Sequence, residues 1–92
     1  MKEELVCSEV IINNSLGLHA RPAAILAKEA SKYKSDIKIV MDKTEVDAKS
    51  ILDILTLAAS KGKSLKLVAK GEDAKEAIEN IQSLIEQGFG EI

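Results

Sequence analysis

The feature that most constrains this chain is a repeated switch of hydrophobic period. Val6, Ser8, Val10 and Ile12 alternate with Leu5, Cys7, Glu9 and Ile11, the two-residue period of a strand with one mostly buried face. Ile37, Ile39 and Met41 alternate with Lys38 and Val40, and Leu65, Leu67 and Ala69 with Lys66, Val68 and Lys70. Between these stretches the period lengthens. Ala23, Ala24, Ile25, Leu26, Ala27 and Ala30 form a helix-favouring apolar segment, and Ala74, Ala77, Ile78, Ile81, Leu84 and Ile85 recur at the helical spacing. A strand carrying Val46 and Ala48 follows a two-residue Asp42-Lys43 turn, and an apolar run from Ile51 to Leu57 follows Ser50. The order is strand, helix, strand, strand, helix, strand, helix. One buried face per strand and three helices predict an α+β two-layer sandwich, with the helices on one face of an open antiparallel sheet.

Punctuation residues set the boundaries. Asn13-Asn14-Ser15 ends the first strand, and Gly17 permits the turn into a helix running from about Ala20 to Ser31. Lys32 and Lys34 beyond it complement the negative end of the helix dipole. Ser50 is a preferred N-cap for a short second helix ending by Gly62. Asp73 with Glu76 three residues later is the Asp form of a capping box, and Gly88 is a natural C-cap. No linker, repeat or low-complexity stretch divides the 92 residues, so a single domain, 1–92, is expected.

Composition removes several classes of function. A net charge of −2 without a basic tract argues against nucleic acid as a partner. Tyr33 and Phe89 are the only aromatics, so there is no platform for stacking bases and the core must rely on Ile, Leu, Val and Ala. One His and one Cys in separate contexts do not make a metal site, and neither metal nor cofactor is expected. Cys7 has no partner for an internal disulfide, which indicates a reducing compartment or a buried thiol. No apolar run approaches the ~18 residues of a membrane span and no signal-peptide pattern opens the chain. A cytoplasmic protein without membrane insertion is expected.

The chemistry concentrates in Gly17-Leu18-His19-Ala20-Arg21-Pro22. Pro22 lacks a backbone N–H and has its φ preset, so it suits the first turn of a helix, where that N–H has no partner anyway. His19 then falls at the helix N-terminus, where the free N–H groups of Ala20 and Arg21 and the positive end of the dipole attract an anion. Arg21 adds a permanent cation whose planar fork matches phosphate oxygens. A lone His in a small domain is commonly a surface or cap residue. A titratable nucleophile beside an anion cradle points instead to a group that accepts and releases phosphate. No G-x-x-x-x-G-K-[ST] loop is present, so a carrier is expected rather than a complete enzyme.

Residues 16–22, Leu-Gly-Leu-His-Ala-Arg-Pro, resemble the active-site signature of the HPr family, the histidine-containing phosphocarriers of the bacterial sugar phosphotransferase system. Residues 46–52, Val-Asp-Ala-Lys-Ser-Ile-Leu, are similar to that family's second signature, around a regulatory serine. The likeness spans nearly the whole chain. It implies the strand order 1-4-2-3, phosphorylation of His19 on Nδ1, Arg21 as phosphate stabiliser, and backbone phosphate contacts from Ala20 and Arg21. It also implies a monomeric carrier, with enzyme I, charged from phosphoenolpyruvate, as donor and sugar-specific IIA domains as acceptors. Two positions depart from the family pattern, Lys43 and Asp53 standing where Gly is common. Lys43 predicts a wider or strained turn, and Asp53 a charge bearing on the choice of partner.

Ser50 has a plain reading as a cap. Its setting suggests more, because Ile51, Leu52, Ile54, Leu55 and Leu57 are more apolar than one short helix can bury. Ile51, Leu52 and Leu55, with Ala24 on the first helix, are the expected docking residues. Phosphorylation of Ser50 would add a charge of ~−1.5 to −2 and repel an acidic partner. The resemblance implies such a switch through an HPr kinase/phosphorylase and a catabolite-control transcription factor. The alternative functions are a mainly regulatory protein acting through Ser50, and a small binding domain whose His is incidental.

Overall fold

A computed structural model describes residues 4–91; Met1–Glu3 and Ile92 lie outside the described residues. The strands are β1 (Glu4–Ile11), β2 (Asp36–Met41), β3 (Thr44–Asp47) and β4 (Ser64–Gly71). The helices are α1 (Ala20–Ala30), α2 (Ile51–Thr56) and α3 (Ala74–Glu86), followed by a short 3-10 turn at Gly88–Gly90. The strands form one antiparallel sheet in the order β1-β4-β2-β3. Val6 pairs with Ala69, Ile37 with Ala69, and Ile39 with both Leu67 and Val46. This register puts Val10, Ile37, Ile39, Val46, Leu65, Leu67 and Ala69 on one buried face, as the two-residue period requires.

That face packs against Leu26, Ala27 and Ala30 of α1, Ile54 of α2, and Ala77, Ile78, Ile81 and Ile85 of α3. The core is aliphatic, and Tyr33 and Phe89 pack at its edge. Each fully buried Leu or Ile here contributes about 1.5–3 kcal/mol through loss of apolar surface from water. The sheet's other face is open, and Leu5 and Ile11 lie exposed on it.

Several local expectations need correction. Cys7 is exposed rather than a buried thiol, because odd-numbered β1 residues point to the open face. The turn at Asp42-Lys43 is not widened: Met41 pairs directly with Thr44. The left-handed backbone falls on Asp42, φ 55°, a residue that tolerates it better than Lys does. Helix α2 ends at Thr56, within the limit that Gly62 sets. Leu57 and Ala58 donate to the carbonyls three residues back, tightening the last turn, and Ala58 then turns left-handed at φ 49°.

The capping box at α3 does not form. The Asp73 carboxylate makes no cap hydrogen bond and instead accepts from the backbone N–H of Lys34 and Ser35, 2.9 Å each, and from the Ser35 hydroxyl. These bonds hold its carboxyl below the usual range, the Ser35 hydroxyl contributing most. Asp73 thus pins the α1–β2 loop to the start of α3. Gly88, at φ 63°, does reverse the chain just after α3.

Candidate functional site: the N-terminus of α1

The β1–α1 loop is held from below. Leu18 N–H donates to the Ala59 carbonyl, 2.9 Å, and Gly17 sits so close to this segment that a Cβ would lie 2.2 Å from the same oxygen. Gly17 also has φ 65°, so both close approach and backbone conformation require glycine. The loop delivers His19 as the N-cap of α1, in extended conformation at φ −77° and ψ −169°. Its carbonyl accepts from Ala23 N–H, 3.0 Å, but its side chain does not cap the helix. The imidazole is therefore left over for other contacts. Ala20 and Arg21 are the first two helical residues, and Pro22 is buried in the same turn, where its missing N–H costs nothing.

The imidazole Nε2 lies 3.2 Å from Glu91 Oε1, and the His19 side chain is 35 % exposed. The same carboxylate oxygen accepts from Asn14 Nδ2 at 3.0 Å, and Asn14 Nδ2 also donates to the Gly17 carbonyl at 2.8 Å. Burial alone would push the Glu91 carboxyl upward. The hydrogen bonds from His19 and Asn14, aided by the Arg21 charge, outweigh it and hold the carboxyl below its usual range. Arg21 is exposed and lines a shallow pocket with Ser15, Leu16, Phe89, Gly90 and Glu91. Among the described residues it makes no ion pair within 4.0 Å, so its guanidinium is open to an incoming anion.

Ser50 stands at the start of α2, and its hydroxyl accepts from Asp53 N–H at 3.2 Å. Asp53 is half-buried, and its carboxylate accepts from Asp47 N–H at 3.2 Å, so that charge is engaged within the β3–α2 connection. Lys49 is similarly committed, Nζ donating to the Tyr33 carbonyl at 2.8 Å. Helix α2 packs against α1. The two helices leave Ala20, Ala24, Ile51, Leu52 and Leu55 exposed, Leu52 at 76 %.

Three residues here were not singled out from sequence. Leu16 is 74 % exposed beside the Arg21 pocket. Asn14 is fully buried, and Glu91 comes from the far end of the chain. The one sequence signal for Glu91 is the Gly88 and Gly90 pair, which brackets a tight reversal carrying the tail back. Among the described residues, no group of three His, Cys, Asp or Glu side chains is placed to hold a metal ion, and no helix is long and apolar enough to cross a membrane.

Residues 6–87 match the family model described as PTS HPr component phosphorylation site. The chain is 39 % identical over 87 residues to the phosphocarrier protein HPr of Treponema pallidum, covering 95 % of this chain and 99 % of that protein. It is 37 % identical over 83 residues to the HPr-like protein Crh of Bacillus subtilis, covering 90 % and 98 %. The crystal structure of HPr-C-His from Thermoanaerobacter tengcongensis superposes with a TM-score of 0.86 at 46 % identity, covering 100 % of this chain and 99 % of that one. With its β1-β4-β2-β3 sheet, three helices and both sequence signatures in place, this chain belongs to the HPr family of phosphotransferase-system phosphocarriers.

Proposed function

We propose that this protein accepts a phosphoryl group on His19 from enzyme I, charged by phosphoenolpyruvate, and passes it to sugar-specific IIA domains. The observation that carries this reading is the state of the His19 side chain: it occupies the N-cap of α1 yet does not cap it. A neutral imidazole is a good nucleophile near neutral pH, and its N–P bond, unlike a phosphate ester, is broken readily. The α1 terminus stabilises a phosphoryl group by on the order of 0.3–1 kcal/mol, up to ~2 if partly buried. That is enough to orient the group without trapping it. Backbone N–H groups of Ala20 and Arg21 contact the phosphoryl oxygens, and the Arg21 guanidinium balances charge as the group arrives and leaves.

Ala24, Ile51, Leu52 and Leu55, exposed on the packed pair α1 and α2, form the docking face. His19, Arg21 and Glu91 all belong to one chain, so a monomer suffices. A cytoplasmic location fits partners that carry phosphoenolpyruvate-derived phosphate.

A second reading is a mainly regulatory protein, phosphorylated on Ser50 by an HPr kinase/phosphorylase and binding a catabolite-control transcription factor. It draws support from the Crh relative and from Ser50 lying next to exposed Ile51 and Leu52. Regulation through Ser50 alone has no use for a phosphorylatable imidazole beside Arg21, which favours the carrier. The test is two parallel incubations, one with enzyme I and labelled phosphoenolpyruvate, the other with HPr kinase and labelled ATP. Rapid labelling in the first supports the carrier; labelling only in the second makes the regulatory reading correct.

A further inference from the structure

We infer that Glu91, held by Asn14, is a positioning residue for His19, fixing which ring nitrogen is free to accept the phosphoryl group. This rests on the carrier reading above and adds a residue to it.

Three contacts carry the argument. Glu91 Oε1 accepts from Asn14 Nδ2 at 3.0 Å and lies 3.2 Å from His19 Nε2, while Asn14 Nδ2 also meets the Gly17 carbonyl at 2.8 Å. Both groups facing that end of Asn14 are acceptors. Its NH2 must therefore point at them, and the amide orientation is determined by its neighbours. Asn14 is fully buried, so it is a fixed strut rather than a mobile surface side chain. It ties the tail of the chain to the loop that delivers His19.

An ionised carboxylate has no hydrogen to give. When the imidazole is neutral, the hydrogen shared with Glu91 must therefore sit on Nε2, and the lone pair is left on Nδ1. The Nε2 contact also limits rotation of a ring that is only partly packed. In transfer from a phosphohistidine donor, the Nδ1 lone pair forms the new N–P bond. The donor's N–P bond breaks, and its electron pair returns to the donor imidazole. His19 keeps its Nε2 hydrogen and gains positive charge, which the Glu91 carboxylate faces directly. An oriented acceptor with a counter-charge resembles the carboxylate–histidine pairs of other sites, where the partner of one ring nitrogen sets the behaviour of the other.

The test compares wild type with Glu91→Ala and Glu91→Gln, each checked by its melting curve. Glutamine retains an acceptor oxygen and serves as the conservative variant. Side-chain 15N shifts of His19 are recorded on the unphosphorylated proteins at a pH where the ring is neutral. Wild type should show one tautomer, with hydrogen on Nε2. Glu91→Ala should move both nitrogens toward the averaged shifts of a free imidazole, and Glu91→Gln should lie between. With enzyme I, Glu91→Ala should lose roughly tenfold in kcat, the scale of one hydrogen bond to a charged group. KM should hold, since Glu91 is not among the docking residues. Ring shifts identical in wild type and Glu91→Ala would overturn the inference, as would unchanged kcat. Should the wild type itself take no phosphoryl group from enzyme I, the carrier reading fails, while the ring shifts still decide whether Glu91 positions the imidazole.

Discussion

Helices α1 and α2 both begin on an extended N-cap residue, and they use it in opposite ways. Ser50, at φ −112° and ψ 115°, turns its hydroxyl inward to the Asp53 N–H. His19, at φ −77° and ψ −169°, turns its ring away to Glu91. At α2 the chain fills its own anion site with a side-chain oxygen. At α1 the first N–H groups are left without a side-chain cap, Pro22 removes one donor that would otherwise lack a partner, and Arg21 stands open beside them. A capped helix start is a structural element; an uncapped one beside an imidazole and a guanidinium that makes no ion pair among the described residues is, on the function proposed above, the reaction site. The stability forgone at α1 is the value of one cap, about 0.5–2 kcal/mol.

Exchanging the two roles breaks the comparison most severely. His19→Ser converts the start of α1 into one like α2, with a hydroxyl able to cap. The domain should stay folded and lose all acid-labile phosphoryl uptake. Uptake at the wild-type level, read by intact mass, would show that the imidazole is not what distinguishes the two sites.

Arg21 comes next in size. Arg21→Ala should slow transfer roughly tenfold to a hundredfold, at or below the scale of deleting one preorganised donor to developing charge. Arg21→Lys should recover only part of the rate, because a point charge cannot replace the planar fork. Melting curves should be nearly unchanged, since the guanidinium makes no ion pair among the described residues. Equal transfer rates in all three proteins would remove Arg21 from the mechanism.

The α2 cap sharpens the contrast from the other side. Ser50→Ala should cost about 0.5–2 kcal/mol of stability while leaving transfer to His19 nearly intact. Ser50→Asp keeps a capping oxygen and so should melt near wild type, yet its charge should raise the KM of enzyme I, which is expected to present an acidic surface to α2. If enzyme I phosphorylates Ser50→Asp as efficiently as wild type, Ser50 acts as a cap and nothing more.

The smallest effect belongs to the third helix start, where Asp73 serves the loop before β2 rather than α3. Its carboxyl is held below the usual range, so its contribution to stability is fully present above that range. The contribution is lost as pH falls through the depressed value. Asp73→Asn should therefore be modestly less stable than wild type at neutral pH, the gap closing in acid. A gap that stays constant from neutral to strongly acid pH would contradict the Ser35 and Lys34 contacts.

The three helix starts also mark how far the sequence could be read. Local rules were sufficient where the partner lies within a few residues, as for the Ser50 cap, where periodicity decides burial, as for α3, or where a short helix carries more apolar residues than it can bury, as for Leu52. The strand order came from resemblance, because alternation says which face is buried and not which strand is adjacent. At Asp73 the same local rule failed: residues 34–35, distant in sequence, take the carboxylate, and its own helix is left without a side-chain cap. Glu91 and Asn14 were illegible for the same reason. Their bonds join residues more than seventy positions apart, and only the packed core brings those ends together.

The central claim, that His19 at the uncapped start of α1 is the phosphoryl acceptor, is tested most directly by intact mass after incubation with enzyme I and phosphoenolpyruvate. Wild type should gain a single phosphoryl group that is lost in acid and kept in base, as a phosphohistidine is, and folded His19→Ala should gain none. An equal mass gain in His19→Ala, or a group on the wild type that survives acid, would contradict the account.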